Sequence, residues 1–290
     1  MKIASLFGPG RAVFSFEVFP PKKNGGDIAS IYGTLDALQP LKPDFISVTY
    51  GAGGLEAGNS LSCEIAAAIK NRYSIESAAH LTCVNSTRAQ VDAELHSLQE
   101  AGIENVLALR GDILPDLPRR HDFAYASELV AYIHQHSEMG ISGACYPEGH
   151  VESESSVEDV LNLKKKVDAG VSHLVSQLFF DNSFFYAFVE KARIAGIHVP
   201  IEAGIMPVVN KKQIERMVSM CGASLPRKFV KIMQRYENNP EALRDAGIAY
   251  AVNQIVDLLT NGVEGIHLYT MNNPYVARRI HESVHNLLAR

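Results

Sequence analysis

The sequence predicts a (β/α)8 TIM barrel, and three observations support this fold class. Eight short apolar runs rich in β-forming residues recur along the 290 residues, and each is followed by a segment with helical spacing. The runs are nearly continuously apolar, as in Phe45-Ile46-Ser47-Val48, which is typical of parallel strands buried on both faces. The alternative, an open doubly wound sheet, lacks its main motif because no G-x-G-x-x-G opens any predicted helix.

The predicted strands and helices alternate along the whole chain. The eight strands are expected at 12–19, 44–51, 77–84, 105–112, 142–149, 173–180, 200–208 and 265–272. The eight barrel helices are expected at 28–39, 60–72, 87–101, 124–139, 156–169, 183–195, 210–220 and 274–288, where apolar residues recur at three- and four-residue spacing. Two further helices, at 226–236 and 240–261, fit between the last two units. We therefore predict a single barrel domain over residues 1–290, with additional helices at about 226–261.

Glycine marks the predicted ends of four helices. Gly102, Gly140, Gly170 and Gly196 each stand between the last helical residues and an apolar residue that leads into the next strand. Because glycine adopts a positive φ without a steric penalty, we expect these residues to end the helices in the left-handed conformation.

Composition and charge narrow the classes of function. A content of 47% hydrophobic and 20% charged residues is typical of a globular protein with a large core. A net charge of -5 gives no basic surface for nucleic acid, so small molecules are the expected partners. The first residues do not form a signal peptide, and no apolar run has membrane-spanning length. We expect a cytoplasmic protein without membrane contact, with four reduced cysteines, and assembled as a homo-oligomer.

Polar residues cluster at the carboxyl ends of seven predicted strands, which is where barrels of this type build their sites. One such residue alone is explained as well by capping a loop as by catalysis, whereas seven strands together favour a functional site. The segments are, in chain order, Ser15 to Pro21, Thr49 to Gly51, His80 to Thr82, Arg110 to Asp112, Tyr146 to His150, Gln177 with Asp181, and Tyr269 to Asn272.

Several of these segments resemble the motifs of one enzyme family. They are Ser15-Phe16-Glu17-Val18-Phe19-Pro20-Pro21, Val48-Thr49-Tyr50-Gly51, His80-Leu81-Thr82-Cys83, Ala108-Leu109-Arg110-Gly111-Asp112 and, after strand five, Asn162-Leu163-Lys164-Lys165-Lys166-Val167-Asp168-Ala169-Gly170. In this order they resemble the methylenetetrahydrofolate reductases, which are FAD-dependent barrels, over essentially the whole chain. The resemblance implies an oxidoreductase that makes 5-methyltetrahydrofolate for methionine synthesis and one-carbon metabolism. It implies bound FAD, with NADH or NADPH as co-substrate; a partner subunit that reduces the flavin is left open.

Glu17 is the predicted general acid. Phe16, Val18 and Phe19 flank it, so an inward-facing carboxyl would be poorly solvated and its protonated form favoured near neutral pH. The resemblance implies that Glu17 protonates N10 of the folate and opens the five-membered ring, which leaves an iminium at N5 as the hydride acceptor. From the residues alone, a strand-end carboxylate bonded to backbone amides explains Glu17 equally well.

The resemblance also implies a second catalytic residue and a set of ligand contacts. Asp112 would contact flavin and pterin and stabilise the cationic iminium; the alternative, which is compatible with this role, is an Arg110–Asp112 ion pair that holds the loop. Gln177 and Gln213 are implied substrate contacts, together with Glu17. The implied FAD contacts are Thr49, His80, Arg110, Gly111, Asp112, Tyr125, Tyr146, His150, Asp159, Asn162, Lys165 and Lys166.

The last four of these contacts lie on the predicted helix after strand five. Asp159, Asn162 and Lys166 are spaced i, i+3 and i+7, which puts them on one helix face. The resemblance implies contacts with the ribose and diphosphate of FAD there. Without it, a run of three lysines is typical of a solvated helix surface paired with acids such as Glu158 and Asp159.

Two other functions remain as alternatives. His281-Glu282-Ser283-Val284-His285 matches the H-E-x-x-H motif of zinc hydrolases. The motif lies on the last outer helix, and only five residues follow it to supply a third ligand, so we favour surface histidines and expect no metal site. The other alternative is a non-catalytic barrel that binds folate or another subunit, against which Glu17 and Asp112 argue.

The chain departs from the enterobacterial pattern of the family at two positions that bear on substrate binding. Met217 stands where an aromatic residue stacks on the folate tail, and Asn273 stands where an arginine is common. These departures concern contacts with the substrate tail and leave the predicted chemistry unchanged. We expect no regulatory domain after the barrel.

Overall fold

The computed structural model describes residues 1–21, 28–50, 58–112, 122–210, 215, 218 and 221–289. Its strands form a closed barrel in which each strand pairs in parallel with the next, and β8 pairs with β1. The predicted (β/α)8 barrel is therefore confirmed. The strands are Val13–Val18 (β1), Phe45–Val48 (β2), Glu76–Thr82 (β3), Asn105–Leu109 (β4), Gly140–Cys145 (β5), His173–Ser176 (β6), Ile201–Ile205 (β7) and Gly265–Tyr269 (β8).

Helices follow the strands in the alternation expected of a barrel. Within the described ranges they are Ile28–Leu38 (α1), Gly58–Asn71 (α2), Arg88–Glu100 (α3), Ala126–His136 (α4), Ser156–Asp168 (α5), Asn182–Ile194 (α6), Arg227–Tyr236 (α7), Pro240–Thr260 (α8) and Pro274–Val284 (α9). The helix predicted at 210–220 lies almost wholly outside the described residues. None of these helices combines the length and the apolar character that a crossing of a lipid bilayer requires.

The main hydrophobic core lies between the barrel and its helices. On β1, Phe14, Phe16 and Val18 belong to this core and are at most 2% exposed. Burial of one such side chain stabilises the fold by about 1.5–3 kcal/mol. The alternate residues, Ser15 and Glu17, are also buried, and their contacts lie inside the barrel. Alternation along a single strand thus separates the structural face from the face that reaches the interior.

The N-terminal segment closes the base of the barrel interior. Ile3, which is 1% exposed, packs with Val13, Phe45 and Ala78 from the first three strands. Its backbone N–H donates a hydrogen bond to Asn105 Oδ1 at 2.8 Å. These contacts fill the amino-terminal end of the barrel and leave the carboxyl ends of the strands for the site.

Three of the four predicted glycine helix ends are confirmed. Gly102, Gly170 and Gly196 have φ angles of 79°, 131° and 79°. The prediction for Gly140 is wrong, because this residue begins β5 without a positive φ. A Cβ atom at Gly140 would lie 2.5 Å from Asn105 Oδ1, so the position requires glycine for space.

Candidate functional site

A cavity of about 530 Å³ lies at the carboxyl ends of the strands, and we call it the central cavity. Residues from β1, from β8 and from strands between them line it. The sequence-predicted residues that it brings together are Glu17, Thr49, His80, Arg110, Gly111, Asp112, Tyr146, His150 and Gln177. Side chains far apart in sequence thus meet in one place, because the carboxyl ends of parallel barrel strands lie on one rim.

A second cavity, of about 470 Å³, lies beside α4 and α5, and we call it the outer cavity. Arg110, Tyr146 and His150 line both cavities, so the two share a wall. The other sequence-predicted residues that line the outer cavity are Tyr125, Asp159, Asn162, Lys165 and Lys166. Gln213 and Met217 lie outside the described residues.

Glu17 lies in the wall of the central cavity and is 6% exposed. Its Oε2 atom is 3.4 Å from His80 Nε2 and 3.7 Å from His267 Nε2. Burial lowers the pKa of His80, and the nearby carboxylate of Glu17 opposes this shift. The groups that face Oε2 among the described residues are therefore imidazoles, which differs from the alternative of a carboxylate bonded to backbone amides.

Arg110 forms a bidentate ion pair across the shared wall. Its two terminal nitrogens donate to the carboxylate oxygens of Glu152, at 2.6 and 2.8 Å. The alternative of an Arg110–Asp112 ion pair is therefore wrong, because the partner of the guanidinium lies on the loop after β5. Asp112 is exposed and lines the central cavity. The carboxylate of Glu152, and more weakly that of Asp112, raises the pKa of Arg110.

Gly111 brings the loop after β4 against β3. It has a φ of 83°, which favours glycine. A Cβ atom there would also lie 3.0 Å from Thr82 Cβ. Conformation and space both require glycine beside the predicted ring contacts.

The three lysines of α5 have three different environments. Lys164 forms a surface ion pair with Asp168 at 2.6 Å, and Lys165 donates to Asn162 Oδ1 at 3.0 Å. Lys166 is partly buried and donates a hydrogen bond to the backbone oxygen of Ala144. Desolvation lowers its pKa. The interpretation as a solvated surface therefore fits Lys164 and is wrong for Lys166.

Several cavity residues are absent from the set predicted by sequence. Asn85 and Ser86 line the central cavity, as does Cys221. Asn85 and Ser86 follow the His80-to-Cys83 motif within three residues, so an extension of that motif past the strand would have found them. Glu152 gave no sequence signal, because its partner Arg110 is 42 positions away. Asn273, a departure from the family pattern, caps α9 by accepting a hydrogen bond from Val276 N at 3.3 Å.

The zinc-hydrolase motif does not form a metal site among the described residues. The rings of His281 and His285 stack with centroids 5.3 Å apart at the end of α9. His281 also lies 5.9 Å from the ring of Phe14, a residue on the outer side of β1. The described part of the chain contains no group of three or more His, Cys, Asp or Glu side chains that could hold a metal ion.

Comparisons with known proteins identify the family of this chain. The family model described as methylenetetrahydrofolate reductase matches residues 2–285. The chain is 37% identical to methylenetetrahydrofolate reductase (NADH) 1 of Arabidopsis thaliana in an alignment of 290 positions. This alignment covers 93% of this chain and 48% of that protein. It is 36% identical to 5,10-methylenetetrahydrofolate reductase of Pectobacterium carotovorum over 263 residues, with 91% of this chain and 87% of that protein covered. The chain thus spans about half of the plant relative and most of the bacterial one.

A solved structure shows the same fold at low sequence identity. It is an uncharacterized protein from Clostridium thermocellum that binds two copies of 5-methyl-5,6,7,8-tetrahydrofolic acid. The two chains share 14% identity with a TM-score of 0.68, over 96% of this chain and 95% of that chain. This likeness shows the barrel fold alone, whereas the match of the family model over residues 2–285 shows the family. The chain belongs to the methylenetetrahydrofolate reductase family.

Proposed function

We propose that this chain reduces 5,10-methylenetetrahydrofolate to 5-methyltetrahydrofolate, with FAD as cofactor and reduced nicotinamide as the source of electrons. Membership of the family supports the reaction class. The observation that supports the finer proposal is the joining of two cavities at one wall, with the buried Glu17 carboxyl in the central cavity and the Lys166 ammonium in the outer cavity.

The described residues fit FAD. Its ring system needs a broad space with polar edges, and the central cavity offers one lined by Thr49, His80 and Gln177. Its diphosphate needs a cation, and Lys166 offers a partly buried ammonium whose described hydrogen bond is to a neutral carbonyl. An anion next to Lys166 would favour the charged form that desolvation now disfavours. Asp159 and Asn162, on the same side of α5, are suited to ribose hydroxyls.

When bound, FAD supplies hydride transfer, accepting from the nicotinamide and donating to the folate in separate steps of a ping-pong cycle. Glu17 holds a proton in a poorly solvated position and gives it to N10 of the folate, which opens the ring. Asp112 places a negative charge near the cation that results at N5. Gln177 lies in the same cavity and orients the substrate by hydrogen bonding.

The visible spectrum of the purified protein and anaerobic stopped-flow kinetics test the proposal. We expect flavin absorbance, either as purified or after addition of FAD, with bleaching by NADH or NADPH and recovery on addition of methylenetetrahydrofolate. Protein that is colourless after incubation with FAD and removal of the unbound flavin would refute the cofactor. A flavin that nicotinamide reduces but that the folate cannot reoxidise would refute the substrate.

The cellular location is part of the same proposal. The four cysteines all lie in described residues and all are free thiols. Free thiols persist in a reducing compartment, which is why we place the enzyme in the cytoplasm.

A further inference from the structure

Beneath Glu17, the barrel interior contains a continuous row of polar side chains. It runs through Glu17, His267, Ser15, Glu202 and His173, and we call it the interior polar chain. Its members below Glu17 are at most 1% exposed. The strand register places Ser15 of β1 beside His267 of β8. Such burial of polar groups is costly unless they are paired, so their mutual contacts define their protonation.

The contacts below Glu17 in the interior polar chain are short, whereas the contact of Glu17 Oε2 with His267 Nε2 is 3.7 Å. The hydroxyl of Ser15 donates to Glu202 Oε1 at 2.9 Å, and its oxygen lies 2.7 Å from His267 Nδ1. Glu202 Oε2 lies 3.0 Å from His173 Nε2, which is within ion-pair distance, although the geometry of this contact is not that of a hydrogen bond. Glu202 fits at this depth because its neighbour on β8 is glycine: a Cβ atom at Gly265 would lie 2.6 Å from Glu202 Cγ.

These contacts favour the tautomer of His267 that has its proton on Nδ1. The hydroxyl of Ser15 has a single hydrogen, and it goes to Glu202 Oε1. The contact between Ser15 and His267 Nδ1 is therefore made by an N–H that donates to the Ser15 oxygen. In neutral His267, the other nitrogen, Nε2, then has only a lone pair, and it is this atom that faces Glu17 Oε2.

Two hydrogen-bond acceptors that face each other in a buried site repel unless a proton lies between them. Among the described residues no hydrogen-bond partner is found for the two imidazole nitrogens that face Glu17 Oε2, His80 Nε2 at 3.4 Å and His267 Nε2 at 3.7 Å, and a proton on Glu17 would give one of them a donor. The neutral arrangement, with a protonated Glu17 facing Nε2, avoids the cost of burying two separate charges.

The other groups around Glu17 do not supply a competing positive charge. His80 of β3 faces it, and burial lowers the pKa of that imidazole. Tyr269, the register partner of Glu17 on β8, has a pKa raised by burial and stays neutral. Ser47, its register partner on β2, is uncharged. Glu202 of β7 and His173 of β6 contact each other rather than Glu17.

We propose that His267 is a positioning residue which, oriented by Ser15 and Glu202, keeps one proton on the Glu17–His267 pair through neutral pH. The catalytic meaning of this inference rests on the proposed function. In the folate step the O–H bond of Glu17 breaks and an N–H bond forms at N10. The carboxylate left at Glu17 then regains a proton from solvent through the central cavity.

Infrared spectroscopy of the purified protein, with whatever flavin it contains, tests the proton directly. The carboxylic-acid band of Glu17 is identified as the one that disappears in Glu17→Gln. We expect this band to persist above neutral pH in the wild type and to vanish about one pH unit lower in His267→Asn. Asparagine can still donate to Ser15 but has no ring nitrogen in the place of Nε2. A wild type without the band at neutral pH, or a band equally persistent in His267→Asn, would overturn the proposal.

The pH dependence of the folate half-reaction gives the second readout. In His267→Asn its alkaline limb should move to lower pH by about one unit, so that the rate on that limb falls about tenfold, while reduction of the flavin by nicotinamide is unchanged. Glu202→Gln should move the limb in the same direction by less, and it serves if His267→Asn does not fold. An unmoved limb in both variants would contradict the proposal.

Ser142→Ala is the matched control. Ser142 contacts His173 Nδ1 at 2.9 Å, an interior contact of the same kind as that between Ser15 and His267. Its loss should lower stability without moving the alkaline limb. A limb moved equally by Ser142→Ala would show a general effect of packing and would overturn the role of His267. If the infrared band behaves as expected but no folate is reduced, the proposed function fails and the shared proton stands. If folate is reduced but the infrared band does not behave as expected, the shared proton fails and the proposed function stands.

Discussion

The two ends of the barrel interior differ in what their inward-facing residues do. At the base, Ile3, Val13, Phe45 and Ala78 pack together and fill the volume. At the mouth, inward-facing residues leave polar groups around a cavity of about 530 Å³. At both ends, alternate residues of the strands point into the barrel. The ends differ in the segments that cover them, because the N-terminal segment covers the base and the loops after the strands surround the mouth. Stability and chemistry are thereby separated along the barrel axis.

Ile3→Ala should have the largest effect, and only on stability. The side chain is 1% exposed, and truncation of a buried isoleucine typically costs about 2–5 kcal/mol. Urea unfolding measures this loss, and the flavin and folate half-reactions should keep their rates at a temperature where the variant is folded. Ile194→Ala is the matched control, because Ile194 is 81% exposed and its loss should change stability by less than about 0.5 kcal/mol. A large loss of activity in folded Ile3→Ala would break the separation.

Glu17→Gln, at the mouth of the barrel, should lower activity rather than stability. Glutamine keeps the size of the side chain but cannot act as an acid, so the folate half-reaction should fall at least about hundredfold. Reduction of the flavin needs no proton from Glu17 and should survive. Stopped-flow measurement of each step separates the two effects. Equal slowing of both steps, or of neither, would show that Glu17 is not the acid.

Lys166→Met, in the outer cavity, should weaken FAD binding but raise the stability of the apoprotein. Loss of the proposed charged hydrogen bond to the diphosphate should weaken FAD binding about tenfold or more and reduce its salt dependence. The unfolding free energy of the apoprotein should rise, because a desolvated ammonium is removed. Lys164→Met, which removes a surface lysine paired with Asp168, should change neither quantity appreciably. Unchanged FAD affinity in Lys166→Met would show that this lysine does not bind the cofactor and has a structural role only.

The pH dependence of stability tests the same lysine. The pKa of Lys166 is lowered in the folded protein, so the unfolded chain binds more protons between that lowered value and the ordinary lysine value. The apoprotein should therefore become more stable as pH rises through this window, and this contribution should be absent in Lys166→Met. Urea titrations at several alkaline pH values measure the difference. Parallel curves for the two proteins would contradict the assignment.

Glu152→Gln should have the smallest effect. In the Arg110–Glu152 pair the Arg110 side chain is 21% exposed and the Glu152 side chain 53% exposed, and pairs that water reaches typically contribute about 0.2–1 kcal/mol. We expect a stability change within that range and a change in FAD affinity below about threefold. Thermal unfolding and a flavin titration measure both. A tenfold loss of FAD affinity would mean that the pair positions Arg110 for the cofactor.

The sequence predicted the number and order of the strands but extended several of them too far. The strand predicted at 173–180 ends at Ser176. The apolar run continues past this point because Leu178 and Phe180 pack in a second core cluster with Phe229 and Met206, beyond the end of the strand. An apolar pattern reports burial, and it cannot by itself distinguish burial in a sheet from burial beneath added helices.

The rim of the site was predictable because a barrel brings all strand ends together, whatever their spacing in sequence. The interior polar chain was not. Ser15, Glu202 and His267 lie within strands, and Ser15 is separated from its two partners by 187 and 252 positions. Periodicity indicates that such residues point inward, but only the register of the closed sheet determines which ones meet.

The shared wall of the two cavities has a consequence for inhibitor design. A compound shaped only for the outer cavity would still touch Arg110, Tyr146 and His150. If the proposed function holds, it would compete with the nucleotide part of FAD. Such a compound would act on newly synthesised apoenzyme and would have little effect once the cofactor is in place. A compound shaped for the central cavity would act at every turnover. The choice of cavity therefore determines whether a compound inhibits cofactor uptake or catalysis.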